Sequence, residues 1–394
     1  MGVLIAVGLP LVACDEQELG FTADDGPSAT MTGTATSGSA VKTMDSTTAS
    51  AGSGGSGGAD GGAGGTSAGG TETTGAAGSA EEPECVLESG RRLFSGYFSS
   101  CVVTDDGEPI CFGQDDWEAP TTTAPVVDIA INQDGACALQ NDCTVKCWGS
   151  PNMLANSPPS GAFTALATAE FGIFCALDRD HHVQCWGPEA WMLEQPSQEL
   201  FAISGGEMGT FCGLTETKDA ICWSGLGSSP EQTTDGPFKA LAPADHVCAL
   251  GVDGELQCWG NTYYGATEAP AGTFSTLVSS HVHSCALTPA GEAACWGGLY
   301  YNEEESPELL DPPSETFTTI VTGLAHMCGL TASGEVSCWG YGTPERENGT
   351  APDLSQASPP EGNFVELAAG YWHSCALSSS GDLECWGDIT APAL

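Results

Sequence analysis

Eight times in this 394-residue chain a cysteine is followed ten positions later by a second cysteine. The pairs are Cys101/Cys111, Cys137/Cys147, Cys175/Cys185, Cys212/Cys222, Cys248/Cys258, Cys285/Cys295, Cys328/Cys338 and Cys375/Cys385. In seven of the eight a Trp follows the second Cys; in the first repeat Phe112 stands there. The internal spacing never varies, while successive pairs begin 36 to 47 residues apart. A rigid unit on elastic connectors marks a repeat architecture, in which each unit buries its apolar surface against its neighbours.

The spacing also predicts a register. If Cys328 and Cys338 face each other across an antiparallel hairpin, Leu330 faces Val336 and the loop left over is Ala332-Ser333-Gly334. A short loop ending in a left-handed residue is a common hairpin connection, and Gly suits that position. The same slot holds Gly107, Gly254, Gly291 and Gly381. Side chains two apart share a face. One face therefore carries the two Cys, a Leu and an aliphatic residue, and the Trp lies on the other. A hairpin that is apolar on both faces has to be sandwiched between neighbours. Each connector adds a short apolar motif, as in Phe163-Thr-Ala-Leu166, Phe238-Lys-Ala-Leu241 and Phe317-Thr-Thr-Ile320, that can supply a further strand. These features predict an all-β fold, a β-propeller of eight blades (seven plus an irregular hairpin being the alternative) with disulfides inside the hairpins.

The phrase Ala369-Gly370-Tyr371-Trp372-His373-Ser374-Cys375-Ala376-Leu377, followed by Gly381-Asp-Leu-Glu-Cys385-Trp386-Gly387, resembles the repeat of the regulator of chromosome condensation family. The resemblance runs over about residues 90–394. It implies a propeller, most often of seven blades, and it is specific to fold rather than function. The founding member is a nucleotide-exchange factor acting on a small GTPase at chromatin. Bacterial relatives include secreted propellers, among them a β-lactamase inhibitor.

Three regions are expected. Residues 1–14 read as a lipoprotein signal: the apolar run Val3–Val12 is too short to span a bilayer, and Leu11-Val12-Ala13-Cys14 resembles the bacterial lipobox, with Cys14 the acylated residue. The departure from that pattern is that no Lys or Arg precedes Cys14. Residues 15–84 are a Gly/Ser/Thr/Ala-rich acidic linker that cannot bury enough apolar surface to order itself. As a Gly-rich coil it would reach roughly 45 Å end to end. Residues 85–394 form the propeller and hold all ten Trp and eighteen of the nineteen Cys. Paired cysteines argue for an oxidising compartment. The expected location is a bacterial cell envelope, lipid-anchored and facing the periplasm or exterior.

With 52 acids against 8 bases the net charge is −44, which excludes recognition of nucleic acid through its phosphates. No calcium-hand loop, P-loop, zinc-protease motif or dinucleotide fingerprint is present, and Gly54-Gly-Ser56-Gly-Gly58 lies in low-complexity sequence without the strand and helix a nucleophile elbow needs. No cofactor and no metal are expected. The eight cysteine pairs read as structural, each closing a loop worth roughly 2.7 kcal/mol in the chain-entropy model. Cys143 occupies a turn slot, and so is expected at an accessible hairpin tip, paired with Cys85 where the linker meets the propeller. His246, His283, His326 and His373 each stand two residues before a first Cys, and structural hydrogen bonding is expected of them. Equivalent positions in neighbouring blades are too far apart to share one ion. His181-His182 is a weak surface candidate at a tip.

The function expected is a membrane-anchored, extracytoplasmic, monomeric binding module that is not an enzyme. Its partner would be a protein or glycan held by the propeller's loops, and only a lipid anchor would touch membrane. The connectors Gly297–Ser314 and Gly340–Gly362 read as exposed, with Tyr300, Tyr301 and Tyr341 as contact aromatics. The alternative is a propeller hydrolase or lyase with carboxylates in its central channel.

Overall fold

The computed structural model describes residues 92–113, 119–150, 158–188, 195–206, 209–224, 232–281, 283–298, 310–341 and 355–392. Cys14, Cys85, Tyr300 and Tyr301 lie outside these residues.

Strands follow the repeat, three to a unit: an inner strand from the connector motif, a middle strand bearing the first Cys, and an outer strand bearing the second. Blade 1 consists of Leu93–Ser95, Ser99–Val103 and Pro109–Gly113, and blade 2 of Val126–Ile131, Gly135–Gln140 and Val145–Gly149. Blade 3 is Phe163–Ala169, Ile173–Asp178 and Val183–Trp186; blade 4 is Ala202–Gly205, Thr210–Leu214 and Ala220–Ser224. Blades 5 and 6 are Phe238–Pro243, His246–Gly251, Leu256–Gly260 and Thr276–Ser280, His283–Leu287, Ala293–Gly297. Blades 7 and 8 are Phe317–Thr322, His326–Thr331, Val336–Gly340 and Phe364–Ala369, His373–Ser378, Leu383–Gly387. Each unit is a separate antiparallel sheet of consecutive strands, and blade 4 gains a fourth strand, Gln232–Thr234, outside its outer one. Among the described residues there are eight sheets, which favours eight blades over seven.

The register is the one the spacing requires. Cys328 faces Cys338 and Leu330 faces Val336, and the other blades repeat this pairing. The bridges are Cys101–Cys111, Cys137–Cys147, Cys175–Cys185, Cys212–Cys222, Cys248–Cys258, Cys285–Cys295, Cys328–Cys338 and Cys375–Cys385. Their facing Cα atoms are 4.0–4.1 Å apart, the close approach of a pair that exchanges no backbone hydrogen bonds. The turn slot takes positive φ in every blade, through Gly107, Gly254, Gly291, Gly334 and Gly381 and also through Cys143, His181 and Lys218. Three side chains are thus held in a conformation that L-residues adopt at a cost. The hairpin geometry dictates φ, and the residue complies.

Blades pack face to face. The Cys/Leu face of blade 2 (Cys137, Leu139) meets Phe163, Phe174 and Trp186 of blade 3. Cys248 and Leu250 of blade 5 meet Phe274, Leu277 and Trp296 of blade 6, and Cys328 and Leu330 of blade 7 meet Phe364, Leu367 and Trp386 of blade 8. In blades 2 to 8 an Ala or Gly follows the first Cys. A Cβ on Gly329 would overlap the Phe317 ring. The ring closes the same way, with Cys375 and Leu377 of blade 8 against Leu93, Val102 and the half-buried Phe112 of blade 1.

Burial across the hairpin is uneven. The first cysteines, on the middle strands, are all buried. The second cysteines differ: Cys111, Cys147, Cys185, Cys258, Cys295, Cys338 and Cys385 are only half-buried. Blades splay apart with distance from the axis, so an outer strand is covered less closely than a middle one. Cys222 is the buried exception among them, because the fourth strand of blade 4 covers its edge and Gln232 pairs with it.

Among the described residues no strand is exchanged at the ring closure, and polar contacts reinforce it. The Glu366 carboxylate of blade 8 accepts the backbone N–H of Arg92 at 2.8 Å and of Leu93 at 2.9 Å. Tyr371 donates its N–H to the Tyr97 carbonyl at 2.8 Å. Two further expectations need correction. Cys143 is fully buried, not accessible: its carbonyl accepts the N–H of Phe163, and Arg179 reaches its Sγ at 3.2 Å. The tip of blade 2 is covered by the start of blade 3. The long connectors are not exposed throughout either. Leu310, Gln356 and Ala357 are buried, and the Gln356 carbonyl accepts the Trp386 indole N–H at 2.9 Å. The connector returns under its own blade to satisfy that donor.

Glu366→Ala should lower stability by about 2 kcal/mol, since it strips a charged acceptor from two N–H groups at the closing seam. Glu335→Ala, at an exposed tip, should change it by less than about 0.5 kcal/mol. Denaturant unfolding of the two variants measures the difference, and equal effects would show that the two Glu366 hydrogen bonds add nothing to the closure.

Candidate functional site

The antiparallel order gives the propeller two unlike ends. Inner strands run toward the short loops that join them to the middle strands, and outer strands end beside those loops. The hairpin tips lie at the opposite end. The loop end collects Tyr97 and Phe98, Gln133 and Asp134, Glu170 and Phe171, Asp245, His281, Leu324, Tyr371 and Trp372 around the axis. Strand exits ring them: Ser150 donates its N–H to the Asp134 carbonyl, Tyr341 to that of Ala325 and Asp388 to that of Trp372.

Glycine lets these loops converge. A Cβ on Gly370 would clash with the Gly96 carbonyl, and one on Gly205 with the Thr168 carbonyl. Inner strands of adjacent blades therefore abut through backbone. Tyr97 spans the mouth. Its hydroxyl, from blade 1, donates to Glu170 Oε1 of blade 3 at 2.6 Å, and both side chains are buried. Its ring stacks on Tyr371 of blade 8 at 5.8 Å with 5° between the planes. Phe98 and Trp372 meet Tyr371 edge-on at 5.6 and 4.8 Å. Four rings and a carboxylate from three blades thus form one cluster.

Asp134 lies in the corresponding loop of blade 2. Its Oδ2 lies 2.9 Å from where a Cβ on Gly172 would be, so it faces the loop that carries Glu170. Burial pushes the Asp134 carboxyl up from its usual range, partly offset by hydrogen bonds from Gln133 and Ser150. Farther round, Asp245 Oδ2 and His281 Nδ1 approach to 3.2 Å. Phe171 and His281 hold positive φ at the same point of their loops, a strain that backbones tolerate where a side chain must be aimed. Half-exposed Phe171 and Tyr264 and the 50% exposed Tyr263 add aromatic surface at this end. Tyr341 is there too, half-buried against the blade 7 core.

Behind the mouth runs a histidine ladder. His246 Nε2 meets Ser284 Oγ of the next blade at 2.7 Å, His326 meets Ser374 at 2.8 Å, and His373 of blade 8 meets Ser100 of blade 1 at 2.8 Å. His283 makes no such bridge, because Met327 occupies the Ser position in blade 7, and neither ring nitrogen has a hydrogen-bond partner. Burial holds all four imidazoles neutral, at about 4 for His246 and His326 and about 3 for His283 and His373. At the tips, His181 stacks on Phe201 at 4.1 Å and His182 approaches Asp178 at 3.9 Å. Among the described residues no group of three or more His, Cys, Asp or Glu could hold a metal ion.

Residues 364–388, the inner strand and disulfide hairpin of blade 8, match the family model for the Regulator of chromosome condensation (RCC1) repeat. No curated protein matches the chain. Among solved structures it is similar to the CRINKLY WD40 ectodomain of the Arabidopsis thaliana receptor kinase ACR4. That similarity has 23% identity over 66% of this chain and 93% of that one, with a TM-score of 0.50. It is also similar to the ectodomain of the Physcomitrella patens receptor kinase CR4 (21% identity, 75% and 73% covered, TM-score 0.48). Prp20p of Saccharomyces cerevisiae follows at 17% identity, 57% and 72% covered, with a TM-score of 0.43. The first of these shows a shared fold.

The ladder sets an acid sensitivity. Folded imidazoles near 3–4 against an unfolded value of 6.5 mean that the unfolded chain binds more protons between those limits. Their contribution is complete above pH 6.5 and is lost as pH falls toward 4. His283→Leu should raise the melting temperature, because it removes a buried imidazole with no partner, and His373→Leu should lower it by stripping Ser100 of its bridge. Melting curves from pH 4 to 8 check both signs, and the slope below pH 6.5 should flatten in each variant.

Proposed function

We propose that this protein is a lipid-anchored, extracytoplasmic interaction module that grips a protein partner with the loop end of its propeller. The observation that carries this reading is the unequal design of the two ends. Tips are bound into the repeat by the turn slot, whereas the loop end gathers non-equivalent aromatic and acidic side chains from blades 1, 2, 3, 5 and 8 and is where the variable connectors leave the outer strands. Rigid blades that present divergent loops suit recognition. The propeller fold and its RCC1 repeat are compatible with an interaction module, and eight disulfides fit an oxidising compartment.

Anchoring rests on Cys14, which lies outside the described residues. Among those residues no helix is long and apolar enough to cross a membrane. Cys143 is disulfide-bonded, and the other sixteen described cysteines pair with one another. Cys85 is our candidate for its partner, tying residues 15–84 to the tip of blade 2. A second reading, carboxylate-based hydrolase or lyase chemistry, would draw on Asp134 and Glu170. The Tyr97 hydroxyl already engages Glu170, which favours binding over turnover.

Non-reducing peptide mapping should return a Cys85–Cys143 peptide beside the eight hairpin pairs; a Cys14–Cys143 peptide would overturn both that pairing and the lipid anchor. Cross-linked capture from the native envelope tests the loop end. Tyr263→Ala combined with His281→Ala should reduce partner recovery at least tenfold, while Glu335→Gln at a tip should leave it unchanged. The reverse pattern would place recognition on the tips.

A further inference from the structure

We propose that the disulfide at Cys143 is the redox-sensitive bridge of this protein, opened by thiol–disulfide exchange with a dithiol while the hairpin bridges stay closed. This deepens the reading of Cys143 given above. It rests on that bond, not on which cysteine completes it. Cys143 is disulfide-bonded, and the other sixteen described cysteines pair inside their own hairpins.

Two observations set Cys143 apart. The first is charge. The Arg179 guanidinium, at the tip of blade 3, donates to Cys143 Sγ at 3.2 Å. The sulfurs of Cys248, Cys328 and Cys375 instead meet the neutral hydroxyls of Ser284, Ser374 and Ser100 at 3.6–3.7 Å. A cation at sulfur stabilises the thiolate, and a more stable thiolate leaves faster. The second is tethering. A reduced hairpin pair stays opposed, because its strands remain in register, as Leu250 and Leu256 do beside Cys248 and Cys258. Such thiols close again at high effective concentration. No cysteine faces Cys143 across its own hairpin, where Cys137 and Cys147 form the pair.

Burial decides which sulfur is attacked. Cys143 is fully buried, so an incoming thiolate has to reach the partner sulfur. That sulfur's bond to Cys143 breaks, and the electron pair stays on Cys143 Sγ beside Arg179. The second thiol of the dithiol then displaces the partner from the mixed disulfide. The dithiol leaves oxidised to its disulfide, and the bridge is reduced by two electrons. Of the two protons released, one goes to the partner thiolate and one to solvent. The turn does not depend on the bridge: Cys143 donates its N–H to the Gln140 carbonyl at 2.9 Å and accepts that of Phe163 at 2.8 Å. Opening therefore leaves a thiolate against Arg179 in an intact propeller.

The test treats the full chain with dithiothreitol under native conditions, quenches at intervals with N-ethylmaleimide and maps the labelled peptides. Cys143 should be labelled about tenfold faster than any hairpin cysteine, with circular dichroism unchanged at that stage. Arg179→Gln should slow the opening at Cys143 severalfold without changing the hairpin rates, and Arg179→Lys should recover part of the loss. An arginine that merely shields the sulfur gives the opposite sign, faster labelling on its removal. Melting temperatures confirm that both variants are folded. Hairpin cysteines labelled as early as Cys143, or a Cys143 rate unchanged or raised in Arg179→Gln, would overturn the proposal and leave the Cys85–Cys143 pairing standing. Labelling of Cys143 without reductant would overturn both.

Discussion

The contact on which everything else depends is the seam between blades, where a disulfide-bearing face meets an aromatic one. Each hairpin is apolar on both sides, so no middle strand can face water on either. The Cys–Cys bridge and its Leu make a flat surface with no polar atom, and the Phe/Trp face of the next blade covers its axial part. Repetition of one such contact around an axis ends only when the last blade meets the first. Among the described residues closure therefore rests on burial, with blade 8 packed on blade 1.

The closing seam shows what happens when the repeat is imperfect. Blade 1 carries Phe112 in place of Trp and a three-residue inner strand, so its apolar contact with blade 8 is smaller. Glu366, the His373–Ser100 bridge and the Tyr97–Tyr371 stack all fall at this one junction. The bridge repeats those of blades 5/6 and 7/8, whereas the Glu366 contacts and the tyrosine stack belong to this junction. The same residues then build the mouth, since Tyr97 serves the closure with its backbone and ring and reaches Glu170 with its hydroxyl.

Much of the scaffold was legible because the repeat printed it eight times. The facing of Leu330 and Val336, the left-handed turn slot and the inner strands from Phe-x-x-Leu motifs needed only local chemistry. Alternation assigns a side chain to a face but not to a distance from the axis, so it could not tell buried Cys248 from half-buried Cys258. Cys143 shows another place where that logic stops: its slot predicts a tip, but its burial depends on the start of blade 3 and on Arg179, which no hairpin rule places there. The connectors mislead for a similar reason. Their acidic and Pro-rich composition reads as exposed, yet Gln356 turns inward because the Trp386 indole needs an acceptor.

Sequence alone determined the unit: strand register, turn type, two-faced apolarity and an oxidised, repeated, all-β design. These follow from contacts within some forty residues, where spacing and stereochemistry leave little choice. Tertiary structure decided the number of blades in one closed ring, which imidazole lacks a partner, and which residues meet at the axis. Tyr97 and Glu170 are 73 positions apart and occupy different points of their own repeats. Only the curvature summed over three blades brings a phenol and a carboxylate together, and no local pattern encodes that sum.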